Sequence, residues 1–127
     1  MIIKLRGSST PAILLIATSF IFVIYGLLFV LGIQMDSANR QAASEKALNI
    51  AEAGVNYYKW HLAHAPEDFK DGQTGNGPYL HVYKDPQGST IGSYSLEITP
   101  PQNGSTVVTI QSTGWTTNYP KIKRRCT

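Results

Sequence analysis

The pattern of apolar and polar positions divides the chain into three stretches. Ala12 to Ile33 reads AILLIATSFIFVIYGLLFVLGI and contains no charged residue. At ~1.5 Å per residue a helix over this run is about 33 Å long, which matches a bilayer hydrocarbon core of ~30 Å. A buried helix of a soluble protein seldom stays uncharged all round for this length. The pattern therefore predicts a transmembrane helix over residues 8–33, preceded by a short cytoplasmic leader, residues 1–7. A secretory signal would have a shorter apolar region with small residues after it. Here the small residues Gly7, Ser8 and Ser9 come before the run. Pro11 suits a first helical turn, where its missing N–H is not needed, and Ser9 or Thr10 is placed to cap that turn. Gly26 and Gly32 lie inside the run, as glycines commonly do in membrane helices, where they also admit a second helix closely.

The second stretch is amphipathic. Apolar residues recur at Ala47, Ile50, Ala51, Gly54, Val55, Tyr58 and Leu62, with Tyr57 and Trp60 widening the stripe. Spacings of three and four put these on one helix face. Gln41, Glu45, Asn49, Glu52, Asn56 and Lys59 form the polar side. No proline or turn signal separates this stripe from the apolar run, so one helix is predicted from about Pro11 to Ala63, roughly 80 Å long. Its outer part, residues 34–65, needs a partner for the stripe, because packing supplies most of an amphipathic helix's stability. Pro66 ends it.

The third stretch, residues 66–127, changes period. Asp71-Gly72 and Gly75-Asn76-Gly77-Pro78 mark loops. Tyr79 to Lys84 alternates, with Leu80 and Val82 on one face and Tyr79, His81 and Tyr83 on the other. Asp85-Pro86-Gln87-Gly88 fits a type I turn. Ile91 to Thr99 follows, then a loop at Pro100–Gly104, a strand over Val107 to Thr113, and another over Tyr119 to Arg125. Short links between strands predict an antiparallel meander. One face of that sheet must be covered, and the helix stripe is the available cover. The predicted fold is α+β: a long N-terminal helix whose outer half packs on a small antiparallel sheet. The strand pair over Thr113 to Arg125 leaves open a continuation beyond Thr127.

The length of 127 residues suits one small domain with an anchor. The net charge of +3 is too small to indicate a nucleic-acid partner, but its placement is informative. Lys4 and Arg6 precede the apolar run and Asp36 follows it. Positive residues stay in the cytoplasm, so the N-terminus is inside and the C-terminal domain outside. Asp36 stands at i,i+4 spacing to Arg40, which offsets that later cation. Lys121, Lys123, Arg124 and Arg125 form a basic tail, whose plain role is a solvated end or an edge strand protected by charge. The single cysteine, Cys126, allows no intramolecular disulfide, so the outer fold rests on packing.

Candidate chemistry is sparse. His61 and His64 share a helix face and, with His81 or Asp68, are conceivable metal ligands, but no fourth ligand or known spacing completes them. Their plain role is polar residues near a helix C-terminus, where a histidine cation is mildly favoured. Cys126 has cationic neighbours but no preorganised base, and Gly72, Gly75 and Gly77 precede a strand, unlike a phosphate loop. No catalytic, cofactor or metal site is predicted, and no enzyme. The aromatics Tyr79, Tyr83, Trp115 and Tyr119, together with the basic tail, suggest a surface for single-stranded DNA. Cross-strand aromatic packing is the plainer account.

Three features in order resemble type IV pilin-like proteins, most of all the minor-pilin group of fimbrial biogenesis proteins. They are Lys4-Leu5-Arg6-Gly7, the apolar run, and the segment Ser44 to Val55 with its phrase ALNIAEAGV. The resemblance covers about half the chain, from Lys4 to Leu62. It implies cleavage by a prepilin peptidase between Gly7 and Ser8, and methylation of Ser8 as the new N-terminus. It also implies storage in the inner membrane, then assembly with other pilin subunits by the pilus machinery into a filament. Two positions depart from the major-pilin pattern. The fifth mature residue is Ala12 where a glutamate is usual, and Ser8 stands where phenylalanine or methionine is favoured. Both fit a minor subunit or pseudopilin. The alternative is a signal-anchored surface protein that never polymerises and binds DNA or a host surface.

Overall fold

The computed structural model describes residues 9–127. Lys4, Arg6 and the predicted cleavage and methylation positions, Gly7 and Ser8, lie outside the described residues. The chain divides into two compact units, with the boundary between Ala38 and Asn39. Helix α1 (Thr10–His64) has 55 residues and is followed by strands β1 (Tyr79–Lys84), β2 (Thr90–Thr99), β3 (Thr109–Thr116) and β4 (Lys123–Cys126). The architecture is α+β, one long N-terminal helix packed on a four-stranded antiparallel sheet.

In the first unit every described residue is exposed. Its part of α1 is long and apolar enough to cross a membrane, by length and composition. The two aliphatic hydroxyls in the apolar run, those of Thr18 and Ser19, are satisfied within the helix. Thr18 Oγ1 donates to the carbonyls of Leu14 (3.0 Å) and Leu15 (2.9 Å), and Ser19 Oγ donates to that of Leu15 (2.8 Å). This back-bonding leaves neither of these two hydroxyls seeking a partner outside the helix.

The second unit builds its own core. Ala43, Ala47, Ile50, Ala51, Gly54, Val55 and Tyr58 are buried, which is the predicted stripe with Ala43 added at its start, while Leu62 and Tyr57 are half-buried and Trp60, expected to widen the stripe, is exposed. The strands follow the order β1-β2-β3-β4, each antiparallel to the next. Pleating sends Tyr79 and His81 of β1, Gly92, Tyr94, Leu96 and Ile98 of β2, and Ile110, Ser112, Gly114 and Thr116 of β3 towards the helix. The register pairs Tyr94 with Gly114 and Leu96 with Ser112. Ile50, Tyr58, Tyr79, Tyr94 and Leu96 form the apolar cluster, flanked by Tyr57, Leu62, Ile98 and Ile110. Complete burial of Leu96 alone contributes roughly 1.5–3 kcal/mol.

Small residues set the distance between helix and sheet. A Cβ added to Gly114 would meet the Ala47 carbonyl oxygen and the Ala51 nitrogen of α1. One added to Gly54 would meet the Ser112 hydroxyl and the Tyr94 ring, and one added to Gly92 the Trp115 carbonyl oxygen and Ile50 Cδ1. Ser112 is fully buried, and its hydroxyl has no hydrogen-bond partner among the described residues.

The turn at Asp85 forms as its sequence requires. Gly88 N–H donates to the Asp85 carbonyl (2.9 Å), and Ser89 N–H to the Asp85 carboxylate (2.7 Å). Two strands start later than the alternation predicts. Val107 stays in the loop because its N–H donates to Ser105 Oγ (3.1 Å) after a turn in which Ser105 N–H bonds the Gln102 carbonyl (3.0 Å). The fourth strand starts at Lys123 instead of Tyr119. A turn through Pro120 intervenes, closed by Ile122 N–H on the Tyr119 carbonyl (3.0 Å).

Gly114→Val should lower the unfolding free energy of the detergent-solubilised chain by about 3 kcal/mol, since the new side chain must push α1 off the sheet. Ser112→Ala should raise it by about 1 kcal/mol by removing an unpartnered buried hydroxyl. Urea titrations followed by tryptophan fluorescence measure both.

Candidate functional site

Two groups of polar side chains stand out in the second unit. The first lies where α1 ends. His61 Nε2 donates to Asp68 Oδ2 (2.8 Å). The Asp68 carboxylate also accepts the N–H groups of Lys70 (3.0 Å) and Gly72 (2.6 Å). The Lys70 amide, then the His61 ring, hold the Asp68 carboxyl below its ordinary range. Asp71 adopts a left-handed backbone (φ 53°) that turns its carboxylate inward, where none of its side chain is exposed. There it accepts the Tyr57 hydroxyl (3.2 Å) and His81 Nε2 from β1. The His81 ring stacks on Tyr94, with centroids 5.2 Å apart, and the Tyr57 ring packs beside it at 4.9 Å. Tyr58 donates to the Asp68 carbonyl (2.8 Å). Burial, then the Asp68 charge, pushes the Tyr58 hydroxyl up to about 12. Burial, then Tyr57, pushes Tyr94 up to about 12, and burial followed by Asp71 raises Tyr57.

These contacts clamp the loop after Pro66 to the helix end and to β1. They leave the histidines engaged separately: His61 on Asp68, His81 on Asp71, and His64 Nδ1 on the Trp60 carbonyl (2.8 Å). Among the described residues no three His, Cys, Asp or Glu side chains are placed to hold a metal ion. The arrangement is a structural clamp, with no nucleophile beside a base.

The second group is the basic tail. Lys121 is exposed in the turn before β4, and Lys123, Arg124 and Arg125 lie on β4 itself. The register pairs Lys123 with Trp115, Arg124 with Gly114, and Arg125 with Thr113. Lys123 and Arg125 therefore stand on the sheet face turned away from α1, and Arg124 on the helix side. Lys123 Nζ sits 4.7 Å from the Trp115 ring centroid, a cation–π contact.

The four aromatics suggested as one binding surface do not share a face. Tyr79 is buried, its hydroxyl bonded to the Gly75 carbonyl (2.9 Å). Tyr83 falls on the helix side of β1, and Trp115 on the opposite face. Tyr119 lines a groove of about 450 Å³ with Asn39, Ala43, Lys46, Thr90 and Asn118. The sequence reading did not single out Asp71 beyond its turn, nor Ser112, Gly92 and Gly114. The alternation of small residues at Ser112, Gly114 and Thr116 was the signal available for the close helix contact.

Comparison of the chain with protein-family models, with characterised proteins and with solved structures yields no match.

The clamp makes stability fall at both pH extremes. Below pH 10 the tyrosines are protonated in both states. From pH 10 towards 12 the unfolded chain ionises its tyrosines while Tyr58 and Tyr94 stay neutral in the fold, so stability declines across that window. Tyr58→Phe should flatten the decline. Asp68 contributes fully above the ordinary carboxylate value of 3.8, and its contribution is lost as pH falls through its lowered folded value. Thermal melts between pH 2 and 12, with Asp68→Asn flattening the acid side, measure this.

Proposed function

We propose that this chain is a pilin-like subunit of the minor-pilin or pseudopilin kind, held in a membrane and then drawn into a type IV filament or secretion pseudopilus. The observation that carries the reading is α1 itself. One helix begins as a bare apolar segment and ends seated, through its stripe, on an antiparallel sheet. A surface so exposed and apolar needs lipid or neighbouring helices around it.

The mechanism follows from charge. While residues 1–7 are attached, Lys4 and Arg6 hold the N-terminus on the cytoplasmic side, because moving such charges through the hydrocarbon is costly. Cleavage between Gly7 and Ser8 removes both cations. Methylation then modifies the new amine at Ser8. The helix left behind carries Thr18 and Ser19 hydroxyls already bonded to its own carbonyls, so neither needs a new partner when the helix passes from lipid to a bundle of like helices. Ala12 supplies no carboxylate to pair with a neighbour's N-terminus, which favours a minor or initiating role over bulk polymerisation. The reading places the N-terminus in the cytoplasm, the second unit outside, and the prepilin peptidase, other pilin subunits and the assembly machinery as partners.

Intact mass of the full chain expressed with a prepilin peptidase tests this. The expected product begins at Ser8 and carries one added methyl group, and Gly7→Val abolishes that product. A chain still beginning at Met1 would indicate a plain signal anchor. A cut beyond Ile33 would indicate a secretory signal and remove the anchor from the mature protein.

A further inference from the structure

Strand β4 stands at one edge of the sheet, paired only with β3 among the described strands. Its remaining lateral side therefore presents backbone N–H and C=O groups of the kind that accept another strand. The charged side chains on that edge strand and in the turn before it are all cationic. Lys123 and Arg125 project from the outer face, Arg124 from the helix side, and Lys121 precedes them, all exposed. Their cross-strand neighbours on β3 are Thr113, Gly114 and Trp115, none of them charged. Among the described residues Lys121, Arg124 and Arg125 form no ion pair.

Such an edge discriminates between incoming strands. A second copy of β4 would set cation against cation and is repelled, which is the protective effect of charge at an edge. A strand with carboxylates would meet a cation on whichever face its side chain falls. Backbone pairing would supply the affinity and the charges the choice of partner. A nucleic acid is disfavoured by the same geometry. Among the described residues Trp115 is the only aromatic that the strand register puts on the outer face beside these cations, and the Lys123 ammonium already stands over its ring at 4.7 Å. Base stacking along a strand needs a series of open rings.

The geometry points to β4 as a docking edge for an extended acidic peptide segment of a partner protein, added antiparallel or parallel to Lys123–Cys126. This goes beyond the pilin-like reading and stands whether or not that reading holds.

The test uses the full chain in non-ionic detergent and a fluorescent eight-residue peptide, three consecutive glutamates flanked by valine and threonine, followed by anisotropy. Two further peptides carry backbone N-methyl groups at odd or at even positions. Strand addition uses the amides on one side only, so one N-methylated peptide should lose binding about tenfold or more and the other should keep it. Arg124→Glu with Arg125→Glu should lose binding to a similar extent, and raising salt from 50 to 300 mM should weaken it several-fold. Absence of binding by the unmodified peptide overturns the proposal. So does equal binding of both N-methylated peptides, which would mean attraction by charge alone. Tighter binding of a single-stranded oligothymidine of equal charge would also overturn it. The peptide comparison needs no mutant, so a misfolded variant cannot mask the outcome.

Discussion

Where Gly114 passes beneath α1, no side chain separates the sheet backbone from the Ala47 carbonyl and the Ala51 nitrogen. That approach fixes the distance between the two layers, and much of the second unit follows from it. At the Ala43–Ala51 end the space between helix and sheet is filled mostly by small residues, alanine, glycine, serine and Thr116, with Ile50 the one large side chain among them. Further along the helix the gap admits Tyr58, Tyr79, Tyr94 and Leu96. The core is therefore thin at one end and aromatic at the other. The aromatic end is also where the chain leaves the helix, and it is fastened by polar contacts. Asp71 ties Tyr57 to His81, and Asp68 ties His61 to the loop backbone. Ser112 shows the cost of the thin end, where a hydroxyl is enclosed without a partner.

The apolar part of α1 obeys a different constraint. It buries nothing in the single chain, and the core residues all come from Ala43 onwards. The core of the second unit is thus complete without the apolar run, so the environment of that run can change while the core is conserved. The proposed role, in which lipid is exchanged for protein around one segment while the fold of another is kept, would need that separation.

Much of this was legible in the sequence. The stripe from Ala47 to Leu62 has a period only a helix satisfies, and Tyr79–Lys84 alternates as only a strand does. Asp85-Pro86-Gln87-Gly88 gave the turn through local chemistry alone. What escaped depends on particular loop hydrogen bonds and on partners far along the chain. Val107 has strand-like composition, yet a serine two residues earlier holds its N–H in the loop. Tyr119 has it too, yet the turn at Pro120 delays β4. Asp71 reads as half of an Asp-Gly turn, and nothing local shows that its carboxylate will meet a tyrosine 14 residues earlier and a histidine ten residues later. The placement of Tyr79 and Trp115 on opposite faces follows from the register, which alternation within one strand cannot supply.

The back-bonded hydroxyls of Thr18 and Ser19 have a mechanical consequence. A helix surface whose threonine and serine hydroxyls are spent internally offers neighbours mainly shape and little direction. Contacts of that kind have no bond angles to satisfy, so two such helices can slide along one another by small steps without breaking a hydrogen bond at any one of them. An assembly built on this surface would yield to tension by slippage between subunits, and its stiffness would be set by how well bumps such as Phe22 and Phe29 interlock with gaps such as Gly26 and Gly32.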